Sequence, residues 1–142
     1  MGKNPKFSCQ HLPGVHLTGD LHGDLDRLKA KELIRLKKGD TLIVCGDFGF
    51  IWDDSKKEKA VLKKLGRSRY QILFLEGTHD NLDLLEQYPK EEWNGGQVHR
   101  ISGSLLHLMR GQVFTIEGKK IFTFGGGESA EMDLRAEDGT WW

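Results

Sequence analysis

The chain has 142 residues, with 21 basic and 21 acidic side chains and a formal net charge of zero. The length suits one domain with a real core, and the balanced charge argues against non-specific binding of nucleic acid. Charged residues are 30% and hydrophobic residues 37% of the chain, which excludes an intrinsically disordered segment. No apolar run approaches a membrane span, and the N-terminus has no signal-peptide core. We therefore expect a cytoplasmic protein without a membrane partner.

The first half of the sequence alternates short apolar runs with helical patterns. Strands are predicted at residues 14–19, 41–47 and 70–76, and helices at 25–36, 55–66 and 81–87. The run at 41–47, TLIVCGD, is continuous, as in a strand buried on both faces of a parallel sheet. Cys45 within it is expected to be an inert core thiol. The order β-α-β-α-β-α predicts a parallel sheet with right-handed crossovers.

After Pro89 the pattern becomes rich in short β-runs. The stretch EEWNGGQ is predicted to be a loop, and VHRIS, LLHLM, QVFTI and KIFTF are predicted to be strands. Glu117-Gly118-Lys119 is typical of a tight hairpin turn. The fold class expected is α/β, with a parallel half followed by a β-rich, partly antiparallel half.

Acidic and histidine side chains follow all three strands of the predicted parallel sheet. The strands end in Gly19-Asp20-Leu21-His22, in Gly46-Asp47 and in Gly77-Thr78-His79-Asp80. Ligands bind outside the carboxyl ends of such strands. Aspartate and histidine suit Mn²⁺, Fe or Zn²⁺, and two ions about 3.5–4 Å apart can clamp both oxygens of a phosphoryl displacement.

These motifs resemble those of the calcineurin-like metallophosphoesterases. The matching stretches are GDLHG at 19–23, GD at 46–47 and GTHD at 77–80, in that order and with helices between them. The resemblance implies a metallophosphoesterase-like sandwich that hydrolyses phosphate esters. It implies that Asp20 and His22 hold the first metal and that Asp47 bridges. It also implies that His79, paired with Asp80, faces the phosphate and protonates the leaving oxygen.

The sequence departs from the family pattern at several positions. Thr78 stands where the family has an asparagine ligand of the second metal, and Gly125 stands where it has a histidine. No Gly-His-x-His motif occurs in the chain. Compared with longer members, residues 1–142 are therefore interpreted as a single, C-terminally truncated metallophosphoesterase domain of a small bacterial or phage type.

Substrate and cofactor follow from the same resemblance. Glu76 and residues 49–51 differ from the pattern of protein phosphatases, which favours a phosphatase or phosphodiesterase acting on a small phosphate ester or nucleotide. Arg110 is a candidate phosphate ligand. The expected cofactors are divalent ions, Mn²⁺ first, with Fe, Zn²⁺, Mg²⁺ and Ni²⁺ as alternatives. A second hypothesis is a catalytically impaired relative that binds a nucleotide or a protein.

Other polar residues have simpler structural interpretations. Asp24 and Asn81 are expected to cap helices, and His99 and His107 are expected to be structural, although His107 would reach the site if its strand ended there. The aromatic pair Trp141-Trp142 or the 112–124 hairpin is predicted to form the contact of a homodimer. The alternative is that both tryptophans fold back onto their own sheet.

Overall fold

A computed structural model describes residues 13–127 of the chain. The elements follow the chain as β1 (Val15–Thr18), two 3₁₀ helices (Leu25–Lys29 and Leu33–Arg35), β2 (Thr41–Cys45), α1 (Lys56–Leu65), β3 (Gln71–Leu75), α2 (Leu82–Leu85), β4 (Lys90–Trp93), β5 (Gly96–Ser102), β6 (Leu105–Leu108), β7 (Gln112–Ile116) and β8 (Lys119–Thr123). A six-stranded sheet has the order β1-β2-β3-β6-β5-β4, and β7 pairs with β8 in a second sheet.

The first three strands run parallel and end together. Val44 of β2 is in register with Thr18 of β1 and with Phe74 of β3. The residues that follow these strands therefore emerge at one edge of the sheet, as the sequence predicts. β6 continues the parallel part by pairing with β3, and β5 and β4 extend it in antiparallel order.

The large sheet is covered by apolar side chains on both faces. Because side chains alternate along a strand, Val44 and Phe74 join one core cluster, which also contains Phe48. Ile43 and Leu73 join another cluster, where they meet side chains of the β7–β8 sheet. The result is the α/β sandwich expected from the resemblance.

The predicted helix at 25–36 is wrong, because this segment forms two short 3₁₀ helices. Leu25 and Leu28 are three residues apart, as are Leu33 and Leu36, and all four pack against the core. A spacing of three matches the 3₁₀ helix. The gap of five between Leu28 and Leu33 does not continue an α-helical stripe, and the chain turns at Ala30.

The stretch EEWNGGQ is also not a loop, which corrects the sequence prediction. β4 and β5 form a hairpin around Asn94 and Gly95, with Trp93 paired to Gly96. Both turn residues have positive φ angles, 47° and 92°, and Asn-Gly is the preferred pair for such a two-residue turn. β4 is polar because it lies at the edge of the sheet.

Side-chain caps begin both α-helices, and the one at Asn81 confirms a prediction. The Ser55 hydroxyl accepts a hydrogen bond from the Glu58 backbone N–H at the start of α1. The Asn81 side chain accepts one from Leu84 N–H at the start of α2. Among residues 13–127, no helix is long and apolar enough to cross a membrane.

The hypothesis of self-association remains a prediction. Trp141-Trp142 lies outside the described residues. In the 112–124 hairpin, Val113, Phe122 and Phe124 are exposed, and the rings of the two phenylalanines lie 6.3 Å apart.

Phe48 provides a test of the core. Its ring is fully buried and stacks on Phe74 with 4.0 Å between ring centroids. We expect Phe48→Ala to lower the free energy of unfolding by about 3–5 kcal/mol, because it removes an aromatic ring from a packed core. Chemical denaturation measures the loss. Phe122→Ala, at an exposed ring, is the control and should change stability by less than about 0.5 kcal/mol. Equal effects of the two substitutions would contradict this core assignment.

Candidate metal centre

The loops after β1 and β2 are joined through their backbones. The N–H groups of Leu21 and His22 both donate to the carbonyl oxygen of Asp47, at 3.1 and 2.9 Å, and Gly23 N–H donates to Phe48 at 3.0 Å. This short ladder extends the parallel pairing beyond the strands. It brings the Asp20–His22 segment beside Asp47, as the order of the motifs predicts.

Each of the two loops contains a residue in a backbone conformation that residues other than glycine rarely adopt. His22 has a φ of 50° and Asp47 a φ of 43°. A non-glycine residue in such a sparsely populated region costs about 1–3 kcal/mol, and these residues concentrate at functional sites. The space beside Asp47 is also restricted, because a Cβ on Gly77 would lie 2.0 Å from its Oδ1. Glycine at position 77 therefore permits the close approach of the third loop.

Four of the predicted site residues come together at this edge. His22 Nε2 lies 3.5 Å from Asp20 Oδ2 and 3.9 Å from Asp47 Oδ2. His79 Nδ1 lies 2.7 Å from Asp47 Oδ2, and the His79 backbone N–H donates to Asp47 Oδ1 at 3.0 Å. One ligand atom each from His22, Asp47 and His79 fits within a span of 4.8 Å. Two imidazoles and a carboxylate at such distances are a donor set that suits a divalent transition ion.

The structure places His79 against Asp47 and not against Asp80, which corrects the predicted pairing. The Asp80 side chain is buried and accepts three backbone N–H groups, from Phe48 at 3.1 Å, Gly49 at 2.6 Å and Gly77 at 2.9 Å. Burial raises the pKa of the Asp80 carboxyl, although these hydrogen bonds oppose the rise. In this arrangement Asp80 ties the second motif loop to the third.

A cleft of about 360 Å³ adjoins the cluster and contains the other predicted metal position. It is lined by Asp20, Cys45, Gly46, Asp47, Leu75, Glu76, Gly77, Thr78, Phe124, Gly125, Gly126 and Gly127. Thr78 lies in this wall, and its side chain offers only a hydroxyl. Among residues 13–127, none with an imidazole or amide side chain lines the cleft. The donor set described here fits one ion, and a second ion remains a prediction.

Cys45 is exposed, so the predicted core position is wrong, whereas partial burial of the sulfur raises the pKa of its thiol, in keeping with the predicted low reactivity. It is the last residue of β2, at the point where the sheet opens into the cleft beside Asp47. The sequence did not reveal the exposure of Cys45, because TLIVC is a continuous apolar run. At the end of a strand, exposure depends on the position of a residue and not on its type.

Behind the cleft lies a buried polar chain that the sequence did not predict. Glu76 is 4% exposed, and its carboxylate contacts His107 Nε2 at 2.6 Å and Arg110 Nε at 3.0 Å. Burial acts to raise the pKa of Glu76, but its hydrogen bonds with His107 and Arg110 hold it below its ordinary value. His107 in turn contacts His99. The sequence does show a charged residue, Glu76, between a buried strand and a motif. Which side chains Glu76 contacts, however, depends on the register of the strands.

Arg110 is therefore occupied by Glu76 in the described structure. Two of its nitrogens, Nε and Nη2, each lie 3.0 Å from Glu76 Oε1, and its guanidinium lies 5.5 Å from the centre of the Phe124 ring. Its predicted role as a phosphate ligand stays a prediction.

Residues 15–141 match the family model for calcineurin-like phosphoesterases. The chain belongs to this family. No curated protein and no solved structure shows significant similarity to it. The family is metal-dependent, and among residues 13–127 of this calcineurin-like phosphoesterase His22, Asp47 and His79 form a group that could hold an ion.

The role of Asp80 as a tie between loops can be tested by replacing one oxygen. Asp80→Asn puts an amide NH₂ where a carboxylate oxygen now accepts backbone N–H groups, so at least one buried donor loses its partner. We expect unfolding free energy to fall by about 1–3 kcal/mol, measured by chemical denaturation. Asp83→Asn, at an exposed position of α2, should change stability by no more than about 0.5 kcal/mol. An Asp80→Asn protein as stable as the unmodified chain would remove this role.

Proposed function

We propose that this protein is a metal-dependent phosphoester hydrolase acting on a small phosphate ester or a nucleotide, with Mn²⁺ as the preferred ion. The observation that supports the proposal is the convergence of Asp20, His22, Asp47 and His79 at the carboxyl edge of the parallel sheet. Membership of the calcineurin-like phosphoesterases supports the same class of reaction.

Asp20, His22 and Asp47 would hold the ion in this proposal, and His79, which lies in the same group of side chains, would act as a proton donor and not as a ligand. When bound, a divalent ion neutralises the phosphate ester and lowers the pKa of an attacking water. Asp47 would serve two positions because its two oxygens face the junction of the motif loops, and Thr78 would face the second position from the cleft. The loop backbones contribute by fixing these side chains before a ligand arrives.

His79 is proposed as the general acid. Its Nδ1 lies 2.7 Å from Asp47 Oδ2, and an ionised carboxylate only accepts hydrogen bonds. Nδ1 therefore carries a proton, and Nε2 is the atom from which a proton would pass to the leaving oxygen. Asp47 orients the ring through this hydrogen bond.

The cleft supports a substrate of small size. Its volume of about 360 Å³ is near the lower end of the range of about 300–1,000 Å³ found for small-molecule sites. The glycines at 125–127 leave this wall without side chains. We propose that a phosphate group with a compact ester or nucleoside occupies it.

A second candidate function is a binding module that retains the fold. The observation that favours it is the chemistry of the second metal position, where the described residues offer Thr78 and Gly125 in place of an amide and an imidazole. The number of ions bound per chain separates the two functions. About two ions support the hydrolase, whereas one or none supports the binding module.

Metal content gives the first test of the proposed site. We expect Asp47→Ala to lose most of its bound Mn²⁺, and to lose more than Asp20→Ala or His22→Ala, because Asp47 faces both positions. Elemental analysis after dialysis against Mn²⁺ measures the loss. Asp83→Ala on the exposed face of α2 is the matched control and should keep the metal content of the unmodified chain. An Asp47→Ala protein with full metal content would refute the assignment.

Leaving-group dependence tests the role of His79. We expect His79→Ala to slow hydrolysis of an alkyl phosphate ester by about 10²–10⁴-fold and that of an activated aryl ester much less, because a good leaving group needs little protonation. Steady-state rates on both esters give the comparison. His16→Ala, at an exposed histidine of β1, should leave both rates unchanged. Equal losses on the two esters for His79→Ala would exclude it as the general acid.

A further inference from the structure

Two buried side-chain atoms among residues 13–127 have no hydrogen-bond partner, Glu58 Oε1 and His99 Nε2. His99 is completely buried, and its Nε2 makes no hydrogen bond. Glu86 Oε1 is 4.0 Å away, too far for one. Buried polar groups are nearly always paired, so the state of this nitrogen needs a cause.

The cause is Glu76, which lies at the other end of a chain of three side chains that starts at His99 and passes through His107. His99 Nδ1 faces His107 Nδ1 at 2.9 Å, and His107 Nε2 faces Glu76 Oε2 at 2.6 Å. The sheet register produces this alignment. His99 pairs with His107 across β5 and β6, and His107 pairs with Phe74, two residues before Glu76.

The direction of the hydrogen bonds along this chain is fixed by Glu76. A carboxylate accepts only, so His107 must donate from Nε2, and a neutral His107 then accepts at Nδ1. His99 must therefore donate from Nδ1. Its Nε2 is left without a proton, and the nearest side-chain oxygen, on Glu86, is itself an acceptor. The missing hydrogen bond of His99 follows directly from the charge on Glu76.

Two observations support this direction of the hydrogen bonds. Arg110 already balances the charge of Glu76, with two nitrogens at 3.0 Å from Oε1, and an additional buried charge would be costly. Burial lowers the pKa of His99, which favours its uncharged form.

The same glutamate reaches the cleft through its backbone. The Glu76 carbonyl accepts a hydrogen bond from Gly126 N–H at 2.8 Å. A Cβ on Gly125 would lie 2.7 Å from the Glu76 carboxyl carbon, and one on Gly126 would lie 2.4 Å from Arg110 Nη2. Gly125 and Gly126 therefore pack directly on the Glu76–Arg110 pair, and both form part of the cleft wall.

We propose that Glu76 is a positioning residue. It orients the His107–His99 chain, holds Arg110 and keeps in place the glycine wall of the substrate cleft, residues 125–127. The part that concerns substrate rests on the proposed function, whereas the part that concerns the histidines does not. Glu76 acts through its neighbours and needs no contact with the reacting atoms.

Histidine tautomers provide the first measurement. Long-range proton–nitrogen correlation spectra at neutral pH should show His107 protonated on Nε2 and His99 protonated on Nδ1, with assignments from His107→Gln and His99→Gln. In Glu76→Gln, the new amide NH₂ can donate to His107 while the amide oxygen accepts from Arg110. We expect both tautomers to reverse, so that His99 gains a proton on Nε2. Glu92→Gln, at an exposed glutamate of β4, should leave both tautomers unchanged.

Kinetics provides the second measurement. In Glu76→Ala, Arg110 and the glycine segment lose their support, and we expect kcat/KM for a phosphate ester to fall by about 10–100-fold, mainly through KM, with the Mn²⁺ content unchanged. Glu76→Gln, which retains an acceptor for Arg110, should recover most of the loss, and Glu92→Gln should show none.

The outcomes separate this inference from the proposed function. A His99 protonated on Nε2 in the unmodified protein, or tautomers that stay the same in Glu76→Gln, would overturn the orientation of the chain. If Glu76→Ala lowers the Mn²⁺ content or kcat instead of acting mainly through KM, the role of Glu76 in supporting the glycine wall would be overturned. Absence of hydrolysis by the unmodified protein would refute the proposed function, while the tautomer measurement would still decide the orientation by Glu76.

Discussion

The arrangement of the site depends on one buried carboxylate. Asp80 accepts backbone N–H groups from the loop that follows β2 and from the loop that follows β3. Parallel register brings the strand ends to one edge with a precision of a residue, but it does not set the distance between the loops. The Asp80 hydrogen bonds set this distance, because they connect the loop that carries Asp47 to the loop that carries His79. The 2.7 Å contact of these two side chains follows from that constraint.

The loops are held in shape at an energetic cost. His22 and Asp47 have left-handed backbones, and Gly77 must lack a side chain for the third loop to approach Asp47. Backbone hydrogen bonds from Leu21 and His22 to Asp47 offset part of the strain. Ligand atoms fixed in this way need little rearrangement when a charged group binds, which is the general advantage of a preorganised polar site.

The sequence predicts the parts of this protein that depend on local pattern. Three strands that each end in a glycine followed by acidic or histidine side chains must place them at one edge, because parallel strands share an end. The polar strand β4 was missed because edge strands need no apolar alternation, although Asn94-Gly95 was a usable turn signal. The contacts of Glu76 with His107 and Arg110 were beyond prediction, since they depend on which strand joins β3, and β6 comes from about 30 residues further along the chain.

Cys45 gives this fold an unusual practical property. This residue is exposed where β2 ends, and it lines the same cleft as Asp20 and Asp47. A natural attachment point for a spectroscopic label thus lies within the cleft, and no cysteine has to be introduced there. The other cysteine, Cys9, lies outside the described residues and would be replaced before labelling. A fluorophore or spin label on Cys45 would then report changes in the polarity and volume of the cleft as ligands enter it.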